Sequence, residues 1–333
     1  MISVSVSRPE GTRDDGRHDP QSLIPERIDV RDDPPLRLTH SEEQPMAFRL
    51  ANVNGRATLL VDRPDLGPAL GTLRGVDVER ASGGALGPDP MAAIGRCGDL
   101  HALAGSAPDI DVDPATLECP VPDPKQVFAI GLNYRSHAEE SGMAIPQVPM
   151  VFTKFPTSIC GPTSTVELPS GSADWEAEVV VVIGRGGRDI SEADALDHVA
   201  GLTGGQDISE REVQFASAQP QFSMGKSFAT FGPVGPAIAS IDSLADVGDV
   251  ELWCELDGER VQQGRTRDLI FGVPALVAYL SSICELCPGD LIFTGTPAGV
   301  GFTRQPPRFL ADGQLLVSHF DGIGTLCNPV RRG

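Results

Sequence analysis

The feature that most constrains the fold is an unbroken β-branched run, Val179-Val180-Val181-Val182-Ile183. Consecutive β-branched residues with no polar face predict a strand covered on both sides. Such a strand sits inside a sheet and needs apolar layers above and below it. The run is entered through Asp174-Trp175-Glu176-Ala177-Glu178. In extended chain, side chains at i and i+2 share a face. Glu176 and Glu178 therefore point the same way at the mouth of a buried strand. Carboxylates held side by side resist ionisation unless a cation stands between them. Either the pair lies on a solvated face, the commoner meaning of Glu-x-Glu, or it belongs to a hard-cation site. Asp207, in Gly205-Gln206-Asp207-Ile208-Ser209, offers a third oxygen donor. Three carboxylates suit Mg²⁺ or Mn²⁺.

The rest of the chain reads as many short strands with few helices. Phe48–Val53 and Ala57–Val61 flank Asn54-Gly55, a strong hairpin signal. Val127–Ile130 and Leu291–Thr294 are short apolar strands, and Leu252, Cys254 and Leu256 alternate before the turn Asp257-Gly258. Ser191–Val199 predicts a short helix with Ser191 as N-cap. Asp268–Ile283 has helical periodicity, with Pro274 at a kink or near a start. With 37 glycines, the pattern predicts a β-rich α+β fold. Residues 1–45 hold 16 charged residues and six prolines but no Phe, Trp or Tyr. That composition cannot offset the entropy of ordering, so a disordered extension is expected there. Residues 46–120 then read as a small N-terminal domain, and from Val121 on the chain becomes strand-rich.

Charge excludes some functions. With 26 Lys+Arg against 46 Asp+Glu, the net charge is −20, which argues against nucleic acid and anionic lipid as partners. No 18-residue apolar stretch predicts a membrane span, and no basic-then-apolar leader opens the chain. Seven scattered cysteines read as reduced thiols, so a cytoplasmic protein is expected. Cys284-x-x-Cys287 lacks a second ligand pair nearby and runs into a turn, which argues against a zinc site.

Further motifs carry chemistry. In Gly131-Leu132-Asn133-Tyr134-Arg135-Ser136-His137-Ala138-Glu139-Glu140, a helix after Arg135 puts His137 and Glu140 on one side. That pairing is either an exposed histidine on a helix end or a water-activating base whose tautomer a carboxylate fixes. If the stretch after Asp207 is helical, Asp207, Arg211 and Gln214 share a face, and arginine offers a fork for a carboxylate. Only three lysines occur, Lys125, Lys154 and Lys226. The turn Thr294-Gly295-Thr296-Pro297 follows a strand and can hold an anionic oxygen.

Taken in order, Gly-Leu-Asn-Tyr-x-x-His137-x-x-Glu140, Phe152-x-Lys154, Glu176-x-Glu178, Asp207 with Arg211-x-x-Gln214, Lys226-Ser227-Phe228 and Thr294-Gly295-Thr296-Pro297 resemble the fumarylacetoacetate hydrolase family over residues 121–330. The resemblance implies a mixed β-sandwich roll, a homodimer, and Mg²⁺ or Mn²⁺ on Glu176, Glu178 and Asp207. It implies that His137 and Glu140 sit on a lid and activate water. It also implies that Lys154, Arg211, Gln214, Lys226 and Thr296 line the pocket of a small-molecule keto acid. The usual Arg-Asp pair after the metal aspartate reads Arg211-Glu212 here. The expected reaction is hydrolysis of the C–C bond of a 2,4-diketo acid of the acylpyruvate type, through a metal-stabilised pyruvate enolate that Lys226 helps to neutralise. The rivals are an isomerase or tautomerase of 2-hydroxydienoates or 2-keto acids, a β-keto-acid decarboxylase, and a catalytically silent binding protein.

Overall fold

The computed structural model describes residues 46–66 and 71–333; the extension expected at 1–45 lies outside them. The run Ala177–Ile183 is a central strand, buried at every residue. It pairs antiparallel with Val199–Gln206 on one side and with Leu291–Phe293 on the other. The sheet continues from Leu291–Phe293 through Val127–Gly131 to the edge strand Met150–Thr153. On the other flank it continues from Val199–Gln206 through Gly232–Ala239 to the hairpin Arg49–Val53/Arg56–Leu60, then Leu73–Asp77 and Ile110–Val112. Strands from residues 46–120 are thus hydrogen-bonded into the same sheet as those from later in the chain. The hairpin turn has positive φ at both Asn54 and Gly55, the geometry that makes Asn-Gly a hairpin signal.

Both faces of Ala177–Ile183 are covered, as its composition demands. Val179, Val181 and Ile183 enter one apolar cluster, with the second sheet and the helix Val273–Ile283. Val180 and Val182 enter another, with Leu50, Leu59, Ile94 and Leu100 from the N-terminal segment. Each buried valine contributes about 1.5–3 kcal/mol relative to exposure. The second sheet runs in the order Glu259–Arg265, Glu251–Leu256, Leu315–Phe320, Gly324–Arg332, Val166–Leu168. Gly204 admits it: a Cβ there would stand 2.3 Å from the Phe320 ring, so a side chain would push the sheets apart.

The short helix expected at Ser191–Val199 is present as a 3₁₀ helix over Glu192–His198, and Ser191 caps it by accepting from Asp194 N–H. The helix expected from Asp268 begins at Val273, with Pro274 in its first turn, where a missing N–H costs nothing. The seven cysteines are all free. Among the described residues no helix is long and apolar enough to cross a membrane.

Candidate active site

Strand register assembles the acidic cluster. Ala177 lies opposite Gln206 and Glu178 opposite Gly205, so the start of one strand meets the end of its neighbour. Glu176 just precedes the first strand and Asp207 just follows the second; Asp207 N–H donates to the Glu176 carbonyl at 2.9 Å. Glu176, Glu178 and Asp207 are all buried and offer carboxylate oxygens within 4.8 Å of one another. Asp207 does not share a helix face with Arg211 and Gln214. Only Arg211–Gln214 is helical, because Ser209–Glu210 is held extended against Ala173–Asp174.

Three cations surround the cluster. Lys226 Nζ lies 2.7 Å from Glu176 Oε2 and 2.6 Å from Asp207 Oδ2. Its place follows from Gly225, where a Cβ would meet the Gln214 backbone at 3.0 Å; glycine lets the turn 222–225 lie directly on the helix 211–214. Arg211 Nη2 lies 2.7 Å from Glu176 Oε1, and its Nε and Nη2 donate to Asp174 Oδ2 at 3.0 and 2.6 Å. Its Nη1 donates to Gln214 Oε1 at 2.8 Å. The fork expected to hold a substrate carboxylate is thus largely committed to the protein's own acids. Lys154, expected on the pocket wall, lies instead behind the cluster. It is fully buried, its Nζ is 2.8 Å from Asp207 Oδ1, and it also donates to the Lys226 carbonyl.

The charges do not balance. Asp174, Glu176, Glu178 and Asp207 are four buried carboxylates against the three buried cations Lys154, Arg211 and Lys226. Glu178 is the odd one out. Its one hydrogen bond comes from Gly295 N–H at 2.7 Å. Burial, and then the nearby Asp207 and Glu176, push its carboxyl well above the usual carboxylate range. Burial acts on Glu176 too, but Lys226 and Arg211 outweigh it and hold that carboxyl down at about 2. An all-oxygen set with one uncompensated carboxylate fits a hard divalent cation. Adding two positive charges turns a net deficit of one into a surplus of one, which suits an anionic substrate.

The cluster opens onto a cavity of about 610 Å³ lined by His137, Glu140, Glu176, Glu178, Arg211, Gln214, Lys226 and Thr296, with Phe152, Phe215, Phe222 and Phe302 among its apolar walls. His137 and Glu140 lie on the short helix Arg135–Glu140. Glu140 accepts from Gly299 N–H at 3.1 Å, and its Oε2 stands 3.5 Å from His137 Nδ1. That is ion-pair distance without hydrogen-bond alignment, and Nδ1 has no other partner. Burial favours the neutral form of Glu140, but His137 and the Gly299 N–H prevail and keep its carboxyl low. Thr296 Oγ1 donates to the Ala177 carbonyl and accepts from Gln262.

Two positioning groups had no assigned role at the level of sequence. Asp174 accepts from Trp175 and Gly301 N–H through Oδ1 and from Phe302 N–H and Arg211 through Oδ2. It ties the wall loop at 301–302 to the arginine that holds Glu176. Asn133 is fully buried and clamps the segments at 271 and 294 through three hydrogen bonds. In the sequence it stood only within the motif Gly131-Leu132-Asn133-Tyr134, and in the fold Leu132 beside it turns at positive φ of 54°.

A carboxylate triad suited to a hard cation, sharing a cavity with a histidine–carboxylate pair, defines the class: a metal-dependent enzyme. Residues 126–331 match the model of the fumarylacetoacetate (FAA) hydrolase C-terminal domain. The chain is 42% identical over 233 residues to the fumarylacetoacetate hydrolase domain-containing protein 2 homolog of Dictyostelium discoideum, covering 67% of this chain and 76% of the relative. A Mycobacterium smegmatis structure bearing the name HpcE superposes with a TM-score of 0.78 at 47% identity, covering 86% of this chain and 99% of that one. The 2-hydroxyhepta-2,4-diene-1,7-dioate isomerase of Mycobacterium marinum gives 0.65 at 30% identity, over 86% and 98%. The maleylpyruvate hydrolase of a Sphingobium species, solved with manganese(II) and pyruvate, gives 0.67 at 28%, over 86% and 99%. The chain belongs to the fumarylacetoacetate hydrolase family and has its β-rich α+β fold. It is an enzyme of that family, of the metal-dependent hydrolase or isomerase type.

Proposed function

We propose that the protein hydrolyses the C–C bond of a 2,4-diketo acid of the acylpyruvate type, using Mg²⁺ or Mn²⁺ on Glu176, Glu178 and Asp207. The observation that carries this reading is the His137–Glu140 pair lining the same cavity as the acidic cluster. An isomerase needs a proton shuttle, whereas hydrolysis needs a base that deprotonates water, and a histidine steadied by a carboxylate is suited to that task. Likeness to the manganese- and pyruvate-bound maleylpyruvate hydrolase supports the metal and the pyruvate-like product.

Glu140, anchored by Gly299 N–H, stands at ion-pair distance from His137 and favours its protonated form. His137 takes a proton from water, and the hydroxide adds to the 4-carbonyl. The C3–C4 bond breaks, its electron pair passes into the C2–C3 enolate of pyruvate, and C3 is then protonated, leaving pyruvate and a carboxylic acid. A divalent cation held by Glu176, Glu178 and Asp207 would supply Lewis-acid positive charge for the keto-acid head of the substrate. Lys226 adds a fixed positive charge beside it, in a site where burial keeps electrostatics strong. Gln214 orients the substrate's carboxylate end, while Thr296, whose hydroxyl proton is committed to the Ala177 carbonyl, lines the cavity beside it.

The test is a panel of acylpyruvates and 2-hydroxydienoates with Mn²⁺ or Mg²⁺, products identified by mass spectrometry. Stoichiometric pyruvate and acid support hydrolysis. Rearranged substrate without fragments makes the enzyme an isomerase, and CO₂ release makes it a decarboxylase.

A further inference from the structure

Resting on the acylpyruvate reading of the site, we propose that the acyl arm of the substrate is neutral and apolar, and that a second carboxylate on that arm is selected against. The argument is the distribution of charge around the cavity. Among the described residues, its lining contains two permanent cations, Arg211 and Lys226. Both are committed to the acidic cluster, Arg211 to Asp174 and Glu176 and Lys226 to Glu176 and Asp207. Neither is free to receive a carboxylate at the far end of a substrate. Other cations near the wall turn away from it. Thr303 and Gln305 line the cavity, but Arg304 between them donates to the carbonyls of Val261 and Gly299. Arg308 is paired with Glu259 at 2.7 Å.

Apart from the neutral polar side chains Ser141, Thr303 and Gln305, much of the remaining wall is apolar. Phe152 and Phe222 pack with ring centroids 5.5 Å apart, and Phe215 and Phe302 stack at 5.2 Å. Phe215, Phe302 and Met143 are large apolar side chains left exposed at 44, 44 and 54%. An apolar arm laid between them removes that surface from water. A carboxylate in the same place loses its hydration without gaining a cation, and it also meets the charge of Glu140. The acyl group is therefore aryl, alkyl or a neutral unsaturated chain, in contrast to the diacids named for two of the similar structures, a dienedioate and maleylpyruvate.

The experiment compares kcat/KM of the Mn²⁺-loaded full chain for 2,4-dioxo-4-phenylbutanoate and for maleylpyruvate, by pyruvate release. A preference of at least tenfold for the phenyl substrate is expected. Equal rates or preference for the diacid overturn the proposal. If neither is cleaved, the hydrolytic reading fails by itself and the arm is tested by binding. Calorimetry then compares 2-oxo-4-phenylbutanoate with 2-oxohexanedioate, which share the keto-acid head and lack the 4-carbonyl that hydrolysis attacks. At least tenfold tighter binding of the phenyl acid upholds the proposal, and equal or tighter binding of the dioate overturns it.

Discussion

Asp174→Asn is the most informative single change, because it alters charge and donor count while keeping shape. The Asp174 carboxylate is buried and accepts from Trp175, Gly301 and Phe302 N–H and twice from Arg211. Asparagine keeps one acceptor oxygen and turns the other into an N–H₂ donor. If the oxygen stays on the Arg211 side, the new donor faces Trp175 and Gly301 N–H, and both backbone groups lose their partner. Each orphaned buried donor costs about 1–3 kcal/mol. The two orphaned donors together cost about 2–6 kcal/mol, and Arg211, which loses one counter-charge but keeps Glu176, adds to that cost. Against a typical domain stability of about 5–15 kcal/mol, the variant folds but melts early. Urea denaturation of the metal-free protein, followed by intrinsic fluorescence, reads this as a lower midpoint at unchanged m-value. Loss of the grip on residues 301–302 also loosens a cavity wall, so KM for the keto acid rises. A variant within about 0.5 kcal/mol of the native protein, the range of ordinary surface changes, refutes the reasoning.

Two further outcomes are expected. His137→Ala leaves metal affinity unchanged and lowers kcat for C–C hydrolysis by about 10²–10⁴, the range for losing a general base; simultaneous loss of the metal contradicts the division of roles. The metal-free fold grows less stable as pH rises from the usual carboxylate value through the raised value of Glu178. The folded state holds that proton more tightly than the unfolded chain, so the stabilisation is complete at low pH and lost on the way up. Metal binding displaces the same proton, so Mn²⁺ affinity strengthens over that interval. Calorimetry in buffers of different ionisation enthalpy detects the released proton, and pH-independent affinity across the interval contradicts the assignment.

What was legible in the sequence was local. The run Val179–Ile183 demanded cover on two faces and has it, and Asn54-Gly55 announced the turn it makes. Glu176, Glu178 and Asp207 were readable as oxygen donors because two of them flank that strand. What was not legible was pairing at a distance. Lys154 meets Asp207 across 53 positions and Asp174 meets Arg211 across 37, and no periodicity encodes such partners. Charge compensation draws Lys154 behind the cluster and commits most of the Arg211 fork to the protein's own acids, although Arg211 still lines the cavity. The short helix expected at Ser191–Val199 is there, wound as a 3₁₀ helix over Glu192–His198; a capping residue marks where a helix starts, but not how tightly the backbone winds.

The most direct measurement is Mn²⁺ binding to the native protein and to Glu178→Gln, made alongside keto-acid turnover before and after chelation. Glutamine keeps the size of the protonated side chain, so the fold survives and only the charge is withdrawn. The account predicts that Glu178→Gln loses both metal and turnover, and that the native protein stripped of metal is inactive until Mn²⁺ or Mg²⁺ is restored. Undiminished turnover in the stripped protein, or equal Mn²⁺ affinity in the variant, contradicts it.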